Sequence, residues 1–165
     1  MKNVRTSRHG AVTRIIIDRP QARNAVDPQT ASELLEAVTA FEADPESAVA
    51  VLAGANGHFC AGFDLKALSG GGITHDRRGE GMMGPTRRVP SKPVIAAVEG
   101  YAVAGGLELA LWCDMRIGAE DCFFTTAFSK RGLIAEHGIS WLLPELTGHS
   151  VAMDLLFSAR RVEAD

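Results

Sequence analysis

Two stretches of the sequence have the composition of a turn that presents backbone amides to a ligand. They are Phe59–Leu65 and Gly100–Glu108, and in each a strand candidate runs into glycine before a helix-like segment follows. Glycine lets the backbone approach a ligand closely and adopt positive φ. The first amides of a helix have no intrahelical acceptor, so two of them aimed at one point would form an oxyanion hole. A purely structural role for these turns is the alternative.

Two glutamates are candidates for proton transfer. Glu108 follows Gly105 by three residues, so on a helix it shares the face that carries the Gly105 amide. A carboxylate in an otherwise apolar run is costly to bury unless it is paired or functional, although a first-turn acid also favours the helix dipole. Glu136 stands beside His137 and by itself is typical of a surface or capping carboxylate. The sequence contains no Ser-His-Asp order, P-loop or HExxH motif.

The composition describes one globular domain over residues 1–165, with 46% hydrophobic and 22% charged residues. Its 17 basic and 20 acidic residues give a net charge of −3, which is not the charge pattern of a nucleic-acid-binding protein. The three cysteines lack CxxC or CxxH spacing, so we expect no disulfide framework, no zinc site and a reducing compartment, the cytoplasm. The first ten residues are polar, and charged residues and glycines interrupt the apolar stretch Val94–Cys113, so we expect neither a signal peptide nor a membrane span.

Strand and helix signals alternate along the chain. β-Branched and apolar runs predict strands over Ala11–Ile17, Val49–Leu52 and Val94–Val98. Asp27 as N-cap and Pro28 at the first helical position predict a helix that ends at Asp44-Pro45. Further helices are predicted from Gly105 to Cys113, over Ile139–Leu146 and over Val151–Ala159, and short strands over Met115–Ile117 and Phe123-Phe124. This order favours an α/β fold with a substantially parallel sheet, and no internal sequence repeat is visible.

The segment from Ser69 to Pro90 differs from its surroundings. It is rich in glycine and arginine and has little apolar periodicity. Such a segment is either a mobile surface loop or a lid that faces a ligand.

Several motifs in the same order resemble the enoyl-CoA hydratase/isomerase (crotonase) family. The first half of the resemblance rests on Arg19-Pro20, Arg23-Asn24-Ala25 and Phe59–Lys66, and the second half on Lys92–Gly100, Gly105–Ala110 and Cys113–Ile117. The resemblance runs from about Ala11 to Asp165. It implies a crotonase-like spiral of ββα units, here without the C-terminal helices that cover the acyl pocket in relatives. It also implies an acyl-CoA thioester as ligand, coenzyme A as part of the substrate with no other cofactor, and a homotrimer or hexamer.

The resemblance assigns roles to individual residues. The amides of Phe63 and Gly105 would form the oxyanion hole that holds the thioester oxygen. Coenzyme A would lie against Arg23–Ala25 and Ala61–Leu65, with Arg23 as a candidate phosphate contact. The substrate-binding set is therefore expected to comprise Arg23, Ala25, Ala61, Asp64 and Leu65, with Phe128 lining the acyl pocket.

The carboxylates depart from the hydratase pattern. Glu108 matches one hydratase glutamate, whereas Phe128 falls at the position of the second and cannot transfer a proton. Glu136 falls where dienoyl-CoA isomerases carry an acidic residue and where related dehalogenases carry their nucleophile. The sequence therefore predicts hydration or isomerisation of an enoyl-CoA with Glu108 and Glu136 moving protons. The alternatives are a non-catalytic acyl-CoA-binding or assembly paralogue and, with less support, a thioester hydrolase or dehalogenase.

Overall fold

A computed structural model describes residues 2–69, 80–136 and 138–164, and it contains two β-sheets. The larger sheet has five strands in the order β1-β2-β3-β4-β6. Only the β1–β2 pair is antiparallel, as a hairpin through Gly10 with φ 60°, and the other neighbours are parallel. The strands are β1 (Val4–His9), β2 (Val12–Ile17), β3 (Val49–Gly54), β4 (Val94–Val98) and β6 (Met115–Gly118).

The smaller sheet contains three short strands, β5 (Tyr101–Val103), β7 (Phe123–Thr125) and β8 (Val162–Glu163), in the order β5-β7-β8. Two isolated parallel bridges, Cys60 with Ala102 and Val26 with Phe63, continue its pairing toward the beginning of the chain. Each of four consecutive segments therefore supplies a strand of the larger sheet, then a short strand or bridge, then a helix. This succession is the repeated ββα unit that the resemblance implies.

The five α-helices of the described residues are α1 (Pro28–Ala43), α2 (Leu65–Ser69), α3 (Gly105–Trp112), α4 (Ile139–Thr147) and α5 (His149–Ser158). Asp27 caps α1 as predicted, because its Oδ1 accepts a hydrogen bond of 2.8 Å from the Thr30 amide. Short 3₁₀-helices cover Pro20–Ala22, Pro85–Arg87 and Ser129–Arg131. In the described ranges, no helix is both long and apolar enough to cross a membrane.

Two apolar clusters hold the elements together. The larger one joins β2, β3 and β4 to α1 and α3, and it includes the fully buried Ile15, Leu52, Leu34 and Leu109. The second joins α3 to α4 and α5, through Leu107, Leu111, Ile139, Leu143, Ala152 and Leu155. Because α3 contributes to both clusters, its position and that of its first turn are determined from both sides.

Three strands were not predicted from the sequence: β1, β5 and β8. β1 is polar apart from Val4, because it is an edge strand and its other side chains are exposed. Long-range hydrogen bonds hold its beginning, where the Glu33 carboxylate accepts from the amides of Asn3 (2.6 Å) and Val4 (2.8 Å). β8 is only two residues long and gives no periodic signal.

Candidate active site

A cleft of about 700 Å³ collects most of the residues singled out in the sequence. Its lining comes from the turn before α2, from β5 and the first turn of α3, and from the segment that joins β7 to α4. The predicted site residues that line it are Arg23, Ala61, Phe63, Leu65, Gly105, Glu108, Phe128 and Glu136. Ala25 and Asp64 are the two that do not.

The two glycines that begin α3 are closely packed. A Cβ on Gly105 would lie 2.6 Å from Sδ of the buried Met83, and a Cβ on Gly106 would overlap the Cys60 carbonyl. The preceding residue, Ala104, has φ 49° and ψ −116°, an uncommon conformation for a residue with a side chain. The Gly105 amide opens the helix, and within the described ranges no acceptor for it is found.

The Phe63 amide faces the cleft for a different reason from the one the sequence suggests. Helix α2 begins only at Leu65, so this amide does not belong to a helix end. Val26 instead donates to the Gly62 carbonyl (2.8 Å) and accepts from the Asp64 amide (2.8 Å), as one residue of a parallel bridge does. The amide of the residue between them points away from Val26.

These two turns lie against each other. Gly62 has φ +98°, and a Cβ on it would lie 2.8 Å from the Val103 carbonyl oxygen and 3.2 Å from the Gly105 nitrogen. The backbone that leads into Phe63 therefore runs directly beside the backbone that leads into α3. Both residues line the same cleft, so the arrangement brings two backbone donors to one wall.

Glu108 lies one turn into α3 and is only 1% exposed. Its amide donates to the Ala104 carbonyl (3.0 Å), which holds the residue in the first turn. Burial raises the pKa of the nearby Cys60 thiol to about 12, and the negative charge of Glu108 acts in the same direction. Glu108 is thus a buried acidic residue that lines the same cleft as Gly105 and Phe63.

Glu136 and Phe128 reach the cleft from the segment between β7 and α4. Both are half-buried, and Phe128 follows Ala127, whose φ is 56°. Phe128 also packs against the cluster between α3, α4 and α5. The structure therefore brings Glu108 and Glu136 to one cleft from separate elements. His137, which the sequence analysis paired with Glu136, lies outside the described residues.

Asp64 and Ala25 belong to the framework behind the cleft wall. The Asp64 carboxylate lies 2.7 Å from Nη1 of Arg19, and a hydrogen bond from that guanidinium holds the pKa of the carboxyl below its usual value. Arg19 also donates to the Ala25 carbonyl (3.0 Å) and pairs with Asp27 (3.0 Å). The Asp64 side chain is paired with Arg19 and does not line the cleft, so the structure does not support a substrate contact by this side chain.

Arg23 and Asn24 form the strained turn that precedes α1. Both have positive φ, at 56° and 55°. Arg23 is exposed at the cleft, whereas Asn24 is 1% exposed and its Nδ2 donates to the carbonyls of Ala55 (2.9 Å) and His58 (2.7 Å). Asn24 thus fastens the turn that presents Arg23, a role that the sequence alone did not indicate.

Eleven further residues line the cleft without having been predicted as site residues, and they include Met82, Met83, Tyr101, Phe123, Arg131 and Arg161. Tyr101 and Phe123 are register partners of β5 and β7, with ring centroids 5.8 Å apart. The two methionines come from the glycine-rich segment, whose described part therefore forms cleft wall. Among the residues that the structure covers, no group of three or more His, Cys, Asp or Glu could hold a metal ion.

Comparisons with known proteins agree with this arrangement. The family model described as enoyl-CoA hydratase/isomerase matches residues 7–165. A carnitinyl-CoA dehydratase of Citrobacter koseri is 37% identical over 162 residues, and one of Proteus mirabilis is 39% identical over 158 residues. These alignments cover 96% and 94% of the chain but only 62% and 60% of the relatives. A crystal structure of an enoyl-CoA hydratase from Mycobacterium tuberculosis H37Rv superimposes with a TM-score of 0.93 at 40% identity, covering 99% of this chain and 64% of that one.

Proposed function

This chain belongs to the enoyl-CoA hydratase/isomerase family, and we propose that it binds an enoyl-CoA and hydrates it or moves its double bond through a stabilised enolate. The observation that carries the proposal is the buried Glu108 in the first turn of α3, beside the Gly105 amide and in one cleft with Phe63 and Glu136. The similar proteins are named as a dehydratase and a hydratase of acyl-CoA substrates, which supports water chemistry.

The two backbone amides would hold the thioester oxygen. When the α-carbon of a thioester gains carbanion character, the charge moves onto that oxygen, and the Phe63 and Gly105 N–H groups donate to it. Each such donor contributes roughly 3 kcal/mol where charge develops in a site shielded from water. Both donors are backbone atoms fixed by the bridge at Val26 and by the first turn of α3, so they need no reorganisation.

The two glutamates would carry the protons. In hydration, one carboxylate accepts a proton from water as its oxygen bonds to the β-carbon, and a proton is then delivered to the α-carbon of the enolate. In isomerisation, a carboxylate removes a proton from one carbon and returns it at the other end of the enolate system. Each positioned acid or base contributes about 10²–10⁴-fold. Phe128, where the resemblance expects the second hydratase glutamate, would line the acyl pocket.

Phe128 also favours a second candidate, a subunit that binds acyl-CoA without turnover. The ring lines the cleft and cannot exchange a proton, so a site built for two-glutamate hydration would lose one of its two groups. Glu136 on the same wall supports the enzyme over this candidate.

The proposed assembly is a homotrimer or hexamer in the cytoplasm. Trp141 is 68% exposed and Phe157 is 72% exposed, and large apolar side chains at the surface are typical of contacts between copies. The cysteines are buried free thiols, as in proteins of a reducing compartment. Sedimentation equilibrium would test the assembly, and a monomer at micromolar concentration would contradict it.

The proposed function is tested by following the absorbance of a trans-2-enoyl-CoA with the wild-type protein and with Glu108→Gln and Glu136→Gln. We expect turnover by the wild type and a loss of at least about 10²-fold in kcat for each variant. Glu120→Gln, at an exposed position outside the cleft, is the control for the loss of one negative charge. Formation of 3-hydroxyacyl-CoA identifies hydration, and a shifted double bond identifies isomerisation. Binding without turnover by the wild type would leave the binding subunit as the function.

A further inference from the structure

Three arginines line the cleft and form no ion pair within the described ranges: Arg23, Arg131 and Arg161. Arg131 and Arg161 both line it, and both are exposed. Within the described ranges neither forms an ion pair, whereas five other arginines do: Arg5, Arg8, Arg19, Arg88 and Arg160. Arg23 is already the candidate contact for a coenzyme A phosphate, which leaves Arg131 and Arg161 as cleft cations without an assigned role.

Hydrogen bonds join the two segments that carry these arginines, although 30 positions separate Arg131 from Arg161. The Nζ of Lys130 donates to the Ala159 carbonyl (2.7 Å), and the Thr125 hydroxyl donates to the same oxygen (3.1 Å). These bonds fasten the turn that carries Arg131 to the segment that leads into Arg161. The basic residues adjacent in sequence have other partners: Lys130 donates to the Ala159 carbonyl, and Arg160 pairs with Asp154.

Arg161 is also held in orientation. Its guanidinium carbon lies 4.3 Å from the centroid of the Phe123 ring, a cation–π contact that leaves the N–H edges free to donate. Phe123 stands beside Tyr101 in the β5–β7 pair, so this stack forms one wall of the cleft. Arginine edges of this kind bind carboxylate or phosphate oxygens through two parallel hydrogen bonds.

We infer that Arg131 and Arg161 form an anion-binding subsite for a negatively charged group of the thioester ligand, and this inference rests on the proposed function. The group is either a carboxylate on the acyl chain or a phosphate of coenzyme A. The wall that carries Arg131 also carries Phe128 and Glu136, the proposed acyl side, whereas Arg23 enters the cleft from the turn before α1. Arg131 therefore lies on the proposed acyl side, and the choice of ligands in the test separates the two sources.

The test measures dissociation constants for four ligands: crotonyl-CoA, crotonyl-pantetheine, glutaconyl-CoA and glutaconyl-pantetheine. The two glutaconyl ligands carry a carboxylate on the acyl chain, and the two pantetheine thioesters lack the phosphates of coenzyme A, so the effects of the two anions can be separated. The proteins are the wild type, Arg131→Gln with Arg161→Gln in one chain, and Arg14→Gln. Arg14 is exposed on β2 outside the cleft, so its variant controls for the loss of a positive charge elsewhere on the surface. Thermal unfolding of the double variant checks that its fold is retained.

We expect the double variant to bind ligands with the recognised anion about tenfold or more weakly and crotonyl-pantetheine unchanged. A loss that follows the acyl carboxylate assigns the subsite to the acyl chain, and one that follows the phosphates assigns it to coenzyme A. An equal loss for all four ligands, or none, would overturn the subsite while leaving the proposed function intact. A wild-type protein that binds none of the four would refute both.

Discussion

Gly62 is the position where one added methyl group tests the geometry of the site most directly. Its φ of +98° is strained for any L-residue with a side chain, and an alanine Cβ would lie 2.8 Å from the Val103 carbonyl oxygen. The same Cβ would lie 3.2 Å from the Gly105 nitrogen, one of the two proposed donors. Gly62→Ala therefore adds both a conformational cost and a steric conflict between two backbone segments.

The two costs can be estimated separately. A left-handed backbone costs an L-residue roughly 1–2 kcal/mol. Forcing a methyl group into a closely packed site adds about 1–3 kcal/mol, and here the conflicting atoms are backbone that cannot rotate away. The sum is about 2–5 kcal/mol of unfolding free energy. Pushing the two turns apart would also misplace the donors, and a displacement on the order of 1 Å costs about 10²-fold in rate.

Gly57→Ala separates these effects. Gly57 has φ +72°, but nothing lies within 4 Å of the Cβ position there, so its variant carries only the conformational cost. Urea unfolding of both variants gives the steric term as a difference, and enoyl-CoA turnover is compared at temperatures where both are folded. We expect Gly62→Ala to be less stable than Gly57→Ala by about 1–3 kcal/mol and to lose at least about 10²-fold in kcat.

Equal unfolding free energies for the two variants would refute the close approach of the Gly62 and Gly105 backbones. A clear stability difference with unchanged turnover would preserve the packing but remove the oxyanion hole from this place. The unfolding free energy therefore tests the packing of the two turns, and the turnover separately tests the position of the proposed oxyanion hole.

Three further predictions concern the framework. Arg19 lowers the folded-state pKa of Asp64, so the stabilising effect of this pair is present above the ordinary pKa of 3.8 and is lost as the pH falls through the folded value. Asp64→Asn should lose about 1–2 kcal/mol in urea unfolding at pH 7 and less as the pH falls below 3.8, and a loss that does not change with pH would exclude the ion pair. All three cysteines are buried, and burial raises the pKa of the Cys60 thiol to about 12. We therefore expect the three thiols to resist a disulfide reagent at pH 8 and to react once the chain is unfolded. A thiol that reacts within minutes in the native protein would contradict their burial. Leu34 is 0% exposed, so Leu34→Ala should lower the free energy of unfolding by about 2–5 kcal/mol, the usual range for such changes in a core. The loss should be larger than that of Leu35→Ala, because Leu35 is only half-buried on α1. The reverse order in urea unfolding would show that the buried face of α1 is misassigned.

Local signals in the sequence were sufficient for most elements. Asp27 and Pro28 mark the start of α1, and the apolar runs of β3 and β4 predict strands, because capping and periodicity act between residues close in sequence. β1 had no such signal, since the pairing with β2 and the bonds to Glu33 that hold it are long-range.

The site divides in the same way. Gly105 and Glu108 share a helical turn, so their relation follows from spacing alone. The reason why the Phe63 amide faces the cleft is the bridge to Val26, which joins residues 37 positions apart and leaves no local trace. The Asp64 side chain pairs with Arg19, a partner 45 residues away in sequence that no local pattern indicates.

By itself, the sequence determined the kinds of elements, the glycine turns and the carboxylates that can move protons, because these depend on residue type and short spacing. The tertiary structure showed that Glu108 and Glu136 line one cleft and that Arg131 and Arg161 line it too, although these residues come from separate segments. The physical reason is that hydrogen bonds and close packing between distant segments set these distances, and a linear pattern carries no measure of them.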